Sequence, residues 1–284
     1  MKEAKKSKSL VVQNHGVVNF TKVQIGITSK LIDNETTNWI ERGEELLELG
    51  QYPQAIDALN KAIEINPSSA DAYHFCAVAM LLIGNSADAF SDFGKAIELA
   101  PDKIDSYLER GCLYYEQESF EEAIADFTSV LKIDSKNTQA YYNRGYAKYD
   151  LKDFQGAIED FSEAIELDPT NADAWYDRGF AKFDLDDFRG AVLDFSETIK
   201  LRPNDLNAHA NRGEARLYLG HHSGAIADFT IAIQLEEEEA NSWYNRGVAQ
   251  FELLNYNEAL EDLNQADILG HPGAKSAIEK VQNV

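Results

Sequence analysis

Along this chain, large apolar, small and polar positions recur in one order every 34 residues, seven times from Thr36. The fourth place of each copy is bulky: Trp39, Tyr73, Tyr107, Tyr141, Trp175, His209 and Trp243. The eighth is small (Gly43, Ala77, Gly111, Gly145, Gly179, Gly213, Gly247), and the twentieth is alanine in every copy from Ala55 to Ala259. The twenty-fourth is large and apolar, as Leu59, Phe93, Phe127, Phe161, Phe195, Phe229 and Leu263. These places fall at helical spacing in two runs of roughly 14 residues per copy, so each copy predicts two helices and a turn. Small residues are needed where two backbones approach closely, and large rings fill the space beside them. One such pair cannot bury its own apolar face, so neighbouring pairs must stack.

Turn chemistry divides the copies at a constant phase: Gly50-Gln51, Gly84-Asn85, Asp153-Phe154, Asp187-Phe188 and Gly220-His221. Pro67, Pro101, Pro169 and Pro203 close four copies. After the seventh, Gly270-His271-Pro272-Gly273 breaks the pattern and residues 274–284 predict a capping helix, with Ala274, Ala277, Ile278 and Val281 on one face. This pattern resembles the tetratricopeptide repeat (TPR) family over residues 36–273. The resemblance implies an all-α, right-handed superhelical solenoid of seven helix-turn-helix repeats. It also implies that first helices line a concave face where extended peptides or partner helices bind.

Residues 1–34 stand outside the repeat. Lysine and serine dominate the first nine, and β-branched residues then flank Asn14-His15-Gly16, which predicts a short β-hairpin. An exposed strand of that kind can join two copies of the chain through residues 10–30, or fold back on the first repeat. Both readings stand.

The formal net charge is −23. Six lysines among the first 34 residues face only Glu3 and Asp33, so the acidity belongs to the repeats. Such a surface repels phosphate backbones, which argues against nucleic acid and for a basic or mixed protein partner, unless it serves solubility alone. Two cysteines, Cys76 and Cys112, sit at helical core positions and form no disulfide framework. No run is apolar enough to span a bilayer, and the expected location is cytoplasmic.

The seventh place holds Arg42, Arg110, Arg144, Arg178, Arg212 and Arg246, with Cys76 in the second copy. The twenty-third holds Asp92, Asp126, Asp160, Asp194, Asp228 and Asp262, with Ala58 in the first. If each arginine pairs with the aspartate of the preceding copy, the two exceptions meet as one apolar contact. That predicts inter-repeat pairs Arg110 with Asp92, Arg144 with Asp126, Arg178 with Asp160, Arg212 with Asp194, and Arg246 with Asp228.

Opposite the packing stripe, the second, fifth, sixth, ninth, twelfth and thirteenth places share a face. Its candidate peptide-binding residues are Tyr115, Tyr142, Asn143, Tyr146, Tyr149, Asp150, Tyr176, Asp177, Phe180, Phe183, Asp184, Asn211, Tyr244 and Asn245. Tyrosines at the fifth and ninth places are expected to stand exposed as anchors, whereas rings at the twelfth serve equally as inter-helix packing. Asparagine suits a ligand's peptide backbone, and the carboxylates favour lysine or arginine in it. Lys148, Lys182 and Arg216 at the eleventh place are set towards the flank, pairing with neighbouring acids. No phosphate loop, paired-cysteine motif, nucleophile elbow or metal-ligand set is present, so no cofactor and no catalysis are expected. The expected function is a non-catalytic scaffold binding an extended segment of another protein, with self-assembly through residues 10–30 as the alternative.

Overall fold

The computed structural model describes residues 34–284; the expected N-terminal hairpin lies outside the described residues. Those residues are all-α, with no strand among them. They form two compact units, one ending at Leu151 and the other beginning at Lys152. The first contains α1 (Asn34–Glu48), α2 (Tyr52–Ile65), α3 (Ala70–Leu82), α4 (Ser86–Leu99), α5 (Ile104–Glu116), α6 (Phe120–Ile133) and α7 (Thr138–Asp150). The second contains α8 (Phe154–Leu167), α9 (Ala172–Asp184), α10 (Phe188–Leu201), α11 (Leu206–Tyr218), α12 (His222–Leu235), α13 (Ala240–Glu252), α14 (Tyr256–Ile268) and α15 (Ala274–Gln282).

Each odd-numbered helix up to α13 is the first of a repeat and ends the same way. At the fifteenth place the backbone turns left-handed, through Gly50, Gly84, Glu118, Lys152, Asp186, Gly220 and Leu254. In α1 the following amides close the end, Gly50 donating to Leu47 O and Gln51 to Leu46 O. This capping geometry satisfies carbonyls that the helix leaves over. Four repeats accept it without glycine, against the steric preference of a side chain at positive φ.

The close approach within a repeat is visible at the eighth place. A Cβ added at Gly111 would lie 2.7 Å from the Phe127 ring, and one at Gly213 would lie 2.9 Å from Phe229. The twenty-fourth-place rings Phe93, Phe127, Phe161, Phe195 and Phe229 are fully buried, and Ala55, Ala89, Ala123, Ala157, Ala191, Ala225 and Ala259 have no exposed surface. At the C-terminal end α15 covers the last repeat, burying Ala274 and Val281 and half-burying Ala277 and Ile278.

The arginine row is structural, but its pairing differs from the expected one. Arg110 grips Asp126 through Nε and Nη2 at 2.8 and 2.7 Å, Arg178 grips Asp194 at 2.8 and 2.8 Å, and Arg246 grips Asp262 at 2.8 and 2.7 Å. Arg212 does the same to Asp228, at 3.1 and 2.6 Å. The partner is therefore the aspartate of the arginine's own repeat. The pairs Arg110 with Asp92, Arg178 with Asp160, Arg212 with Asp194 and Arg246 with Asp228 do not form as predicted, and Asp126, expected for Arg144, is held by Arg110.

The inter-repeat reach falls instead to the third nitrogen and a hydroxyl. Nη1 of Arg144, Arg178, Arg212 and Arg246 donates to Thr128, Ser162, Ser196 and Thr230 at 3.0 to 3.2 Å. A planar fork can serve a carboxylate with one edge and a neighbour with its free nitrogen, so one guanidinium joins three helices. The two exceptions are absorbed separately. Arg42, lacking an aspartate at Ala58, turns to Glu45 at 2.9 Å in solvent. Cys76 donates its thiol to Asn60 Oδ1 at 3.8 Å, and burial first, then the Asp92 charge, pushes that thiol up to about 12.

Candidate functional site

In the first unit α1 packs on α3 and α5 on α7, and in the second α9, α11 and α13 touch in sequence. Second helices pack on the first helices flanking them, so within each unit the first helices form an inner row. The fifth, sixth, ninth, twelfth and thirteenth places point along it.

In the second unit that row is aromatic. Tyr176 is only 7 % exposed, contrary to the expected open anchor, and its ring lies 5.6 Å from Phe195 and 6.2 Å from Phe180. Its hydroxyl receives a hydrogen bond of 2.7 Å from Asn211 in the next repeat. Burial is the main reason its phenol titrates above the usual range. Neighbouring first helices lie close enough for a fifth-place tyrosine to span the seam, which covers the ring and satisfies its oxygen. Tyr142 is buried likewise, at 6 % exposure, with its ring edge-on to Tyr146 at 5.3 Å.

Phe180 and Phe183 are half-buried and continue the ring row, 6.5 Å apart. The row ends on Tyr218, which packs edge-on to Phe183 at 5.6 Å and stacks flat on Phe188 at 4.5 Å while remaining 55 % exposed. Asp184 is exposed, Asp177 buried, and Asn245 half-buried. Tyr244 is stacked against His271 at 3.9 Å, tied to the C-terminal cap. Sequence reasoning missed Tyr218; the signal was an aromatic at the thirteenth place, where most other copies carry an acid. Lys182 and Arg216 do pair with acids, reaching Asp194 at 2.7 Å and Asp228 at 2.6 Å.

In the first unit the row sets carboxylates among its rings. Tyr115 donates to the Asp150 carboxylate of the next repeat, and Tyr149 is buried. Asn143, expected to serve a ligand backbone, has no exposed surface and donates to Cys112 Sγ at 3.5 Å. His74 meets Ser106 at 3.0 Å, and burial brings its imidazole down to about 3. Lys103 holds Asp71 at 2.5 Å. Glu109 is raised to about 7, by burial first and then by the charges of Asp105 and Glu116. Glu44 is raised in the same order of causes, burial ahead of Asp71, Glu41 and Glu48. Among the described residues no group of three or more His, Cys, Asp or Glu is placed to hold a metal ion, and no helix is long and apolar enough to cross a membrane.

The pattern described as TPR repeat matches residues 43–84, 111–152 and 145–186, and that described as tetratricopeptide repeat matches residues 211–273. The chain belongs to the tetratricopeptide repeat family. A comparison with curated proteins finds no match. Among solved structures, the TPR protein YrrB, titled as having an unusual peptide-binding site, is 23 % identical with a TM-score of 0.61, covering 68 % of this chain and 98 % of its own. MamA is 24 % identical with a TM-score of 0.56, covering 58 % and 96 %. A TPR protein from Parabacteroides merdae is 19 % identical with a TM-score of 0.60, covering 87 % and 99 %. At these identities the likeness establishes the fold of the TPR chain.

Proposed function

We propose that this TPR protein is a non-catalytic interaction scaffold that holds an extended, basic or mixed segment of another protein along the inner row of its first helices. One observation carries the reading. The row keeps accessible aromatic surface beside carboxylates, as Tyr218 with Glu214 and Asp186, although the interior between helices is filled. Aromatic faces offer area and cation contacts, and carboxylates select lysine or arginine. The peptide-binding site named for YrrB supports the same use of the fold. A cytoplasmic location goes with this reading, and the two free, buried cysteines fit it.

Tyr142, Asn143 and Tyr176, all buried, are unsuitable for testing it, because their loss would disturb packing. Tyr218→Ala with Glu214→Gln leaves the buried rings intact. On an array of extended peptides of graded charge, the wild type should prefer basic or mixed sequences, and the double variant should bind them about tenfold more weakly, a loss of one or two modest contacts. Equal binding by a folded double variant, or no charge preference, defeats the proposal.

A further inference from the structure

In the second unit two guanidiniums are held the same way, over a ring face and with a carboxylate at the edge. Arg178 lies 4.8 Å from the Trp175 ring while Asp194 takes its fork, and Arg246 lies 4.9 Å from Trp243 while Asp262 takes its fork. The ring face attracts the cation, and the carboxylate fixes its edge by two parallel hydrogen bonds. Both arginines come from the chain itself.

The same components meet at Tyr218 without a cation. Its ring stacks on Phe188 at 4.5 Å, 6° from parallel. Phe183 is inclined to these two rings by 73° and 75°, 5.2 Å from Phe188 and 5.6 Å from Tyr218. A ring that near to both members of a stack stands at its side, so the Tyr218 face turned away from Phe188 is covered by neither ring, and the residue is 55 % exposed. Two carboxylates flank it from different elements. Glu214 lies one turn earlier on α11, at the spacing that puts two side chains on one helix face. Asp186 lies two residues before Phe188, in the exposed turn between α9 and α10. Burial first, then the charges of Glu214 and Asp186, raises the Tyr218 phenol, so both acids act on this ring. Among the described residues no lysine or arginine pairs with either acid or stands over the ring; the eleventh-place cations of α9 and α11, Lys182 and Arg216, are committed to Asp194 and Asp228.

We infer that the open face of Tyr218, between Glu214 and Asp186, is the seat for one arginine side chain of the bound segment. This rests on the scaffold reading for the face used, and it names the side chain that the second unit reads. Charge complementarity gives the sign of the occupant, and the flat ring gives its kind. A planar, weakly hydrated guanidinium lies on a ring and still has N–H groups for a carboxylate on either side. An ammonium is a compact, strongly hydrated charge that matches neither the plane nor the two flanks.

The test uses the full chain and N-acetyl-arginine methylamide, with the lysine analogue and the planar but uncharged citrulline analogue as controls. NMR follows the Tyr218 ring signals and the δ-methylene protons of the probe, which a ring lying face-on shifts upfield. The arginine probe should bind about fivefold more tightly than the lysine one and show the upfield shift, and the citrulline probe should give no saturable response. Tyr218→Phe keeps the ring face and should keep binding, whereas Tyr218→Leu should abolish the upfield shift. Glu214→Gln with Asp186→Asn leaves the ring in place and suits the left-handed turn, and should weaken the arginine probe about fivefold. Lysine binding as tight as arginine, an equal citrulline response, loss of binding in a folded Tyr218→Phe, or no response at Tyr218 each overturns the seat. Capture of basic peptides without an arginine preference defeats this inference alone, whereas an arginine response at Tyr218 without peptide capture defeats only the scaffold reading.

Discussion

The inner row of the first unit sets buried and half-buried carboxylates such as Glu44 and Glu109 among its rings, and that of the second joins Tyr176, Phe180, Phe183 and Tyr218 into one run of rings, on one repeat register. At the fifth place the first unit carries Ile40, His74 and Leu108 before Tyr142, whereas the second carries Tyr176, Ala210 and Tyr244. At the ninth, the first unit carries Glu44, Val78, Cys112 and Tyr146, and the second Phe180, Glu214 and Val248. The helices that present these residues end in the same left-handed turn and close on the same twenty-fourth-place side chain. The repeat frame therefore decides where a side chain sits and how deeply. Residue identity at a few inner places decides whether the result is a satisfied seam or a carboxyl raised by burial.

If the frame is shared, its core should cost the same to break in either unit. Phe127→Ala and Phe195→Ala should each lose about 3–5 kcal/mol in urea unfolding, as expected for deleting a fully buried ring. A difference of more than a factor of two would break the comparison at its base. Next in size is a pH effect confined to the acidic row. Glu109 ordinarily titrates near 4.5 and is raised to about 7 here, so the folded state keeps its proton longer than the unfolded chain. Its contribution is complete below 4.5 and is lost as pH rises to 7. Over that window the wild type should lose on the order of 2–3 kcal/mol relative to Glu109→Gln. Parallel pH profiles would show that the acidic row carries no such strain.

The aromatic row has a smaller lever. Tyr176→Phe keeps the packed ring but deprives the Asn211 amide of its acceptor, and should cost about 1 kcal/mol in thermal unfolding. An unchanged melting temperature would mean that the seam is held by ring contact alone. Smallest is a gain. Leu254 is 69 % exposed at a φ of 64°, the turn place that glycine takes in three other copies. Leu254→Gly should stabilise by roughly 0.5–1 kcal/mol, relief of steric strain outweighing the entropy glycine adds to the unfolded chain.

Much of this was legible in the residues. A period carrying glycine at the eighth place and phenylalanine at the twenty-fourth implies a close helix pair, because one vacates the volume the other occupies. The candidate face was legible only as a set of places. Helical spacing names the side of a helix, but the distance to the next helix decides whether Tyr176 meets water or a neighbour. The arginine pairing failed for a related reason. Matching two exceptions assumes that each guanidinium has one partner, and its geometry gives it two, the Asp194 carboxylate and the Ser162 hydroxyl for Arg178.

By itself, then, the sequence determined the all-α repeat, its register, the positions of the turns and the buried rings. These follow from local spacing and from volume, which neighbouring residues specify. Only the tertiary structure decided which repeat an arginine serves, which tyrosines are seams, and that the Asn143 amide nitrogen goes to Cys112 while its carbonyl is buried without a donor. Those outcomes depend on how near one helix comes to the next, and on which of several reachable partners each polar group has already taken.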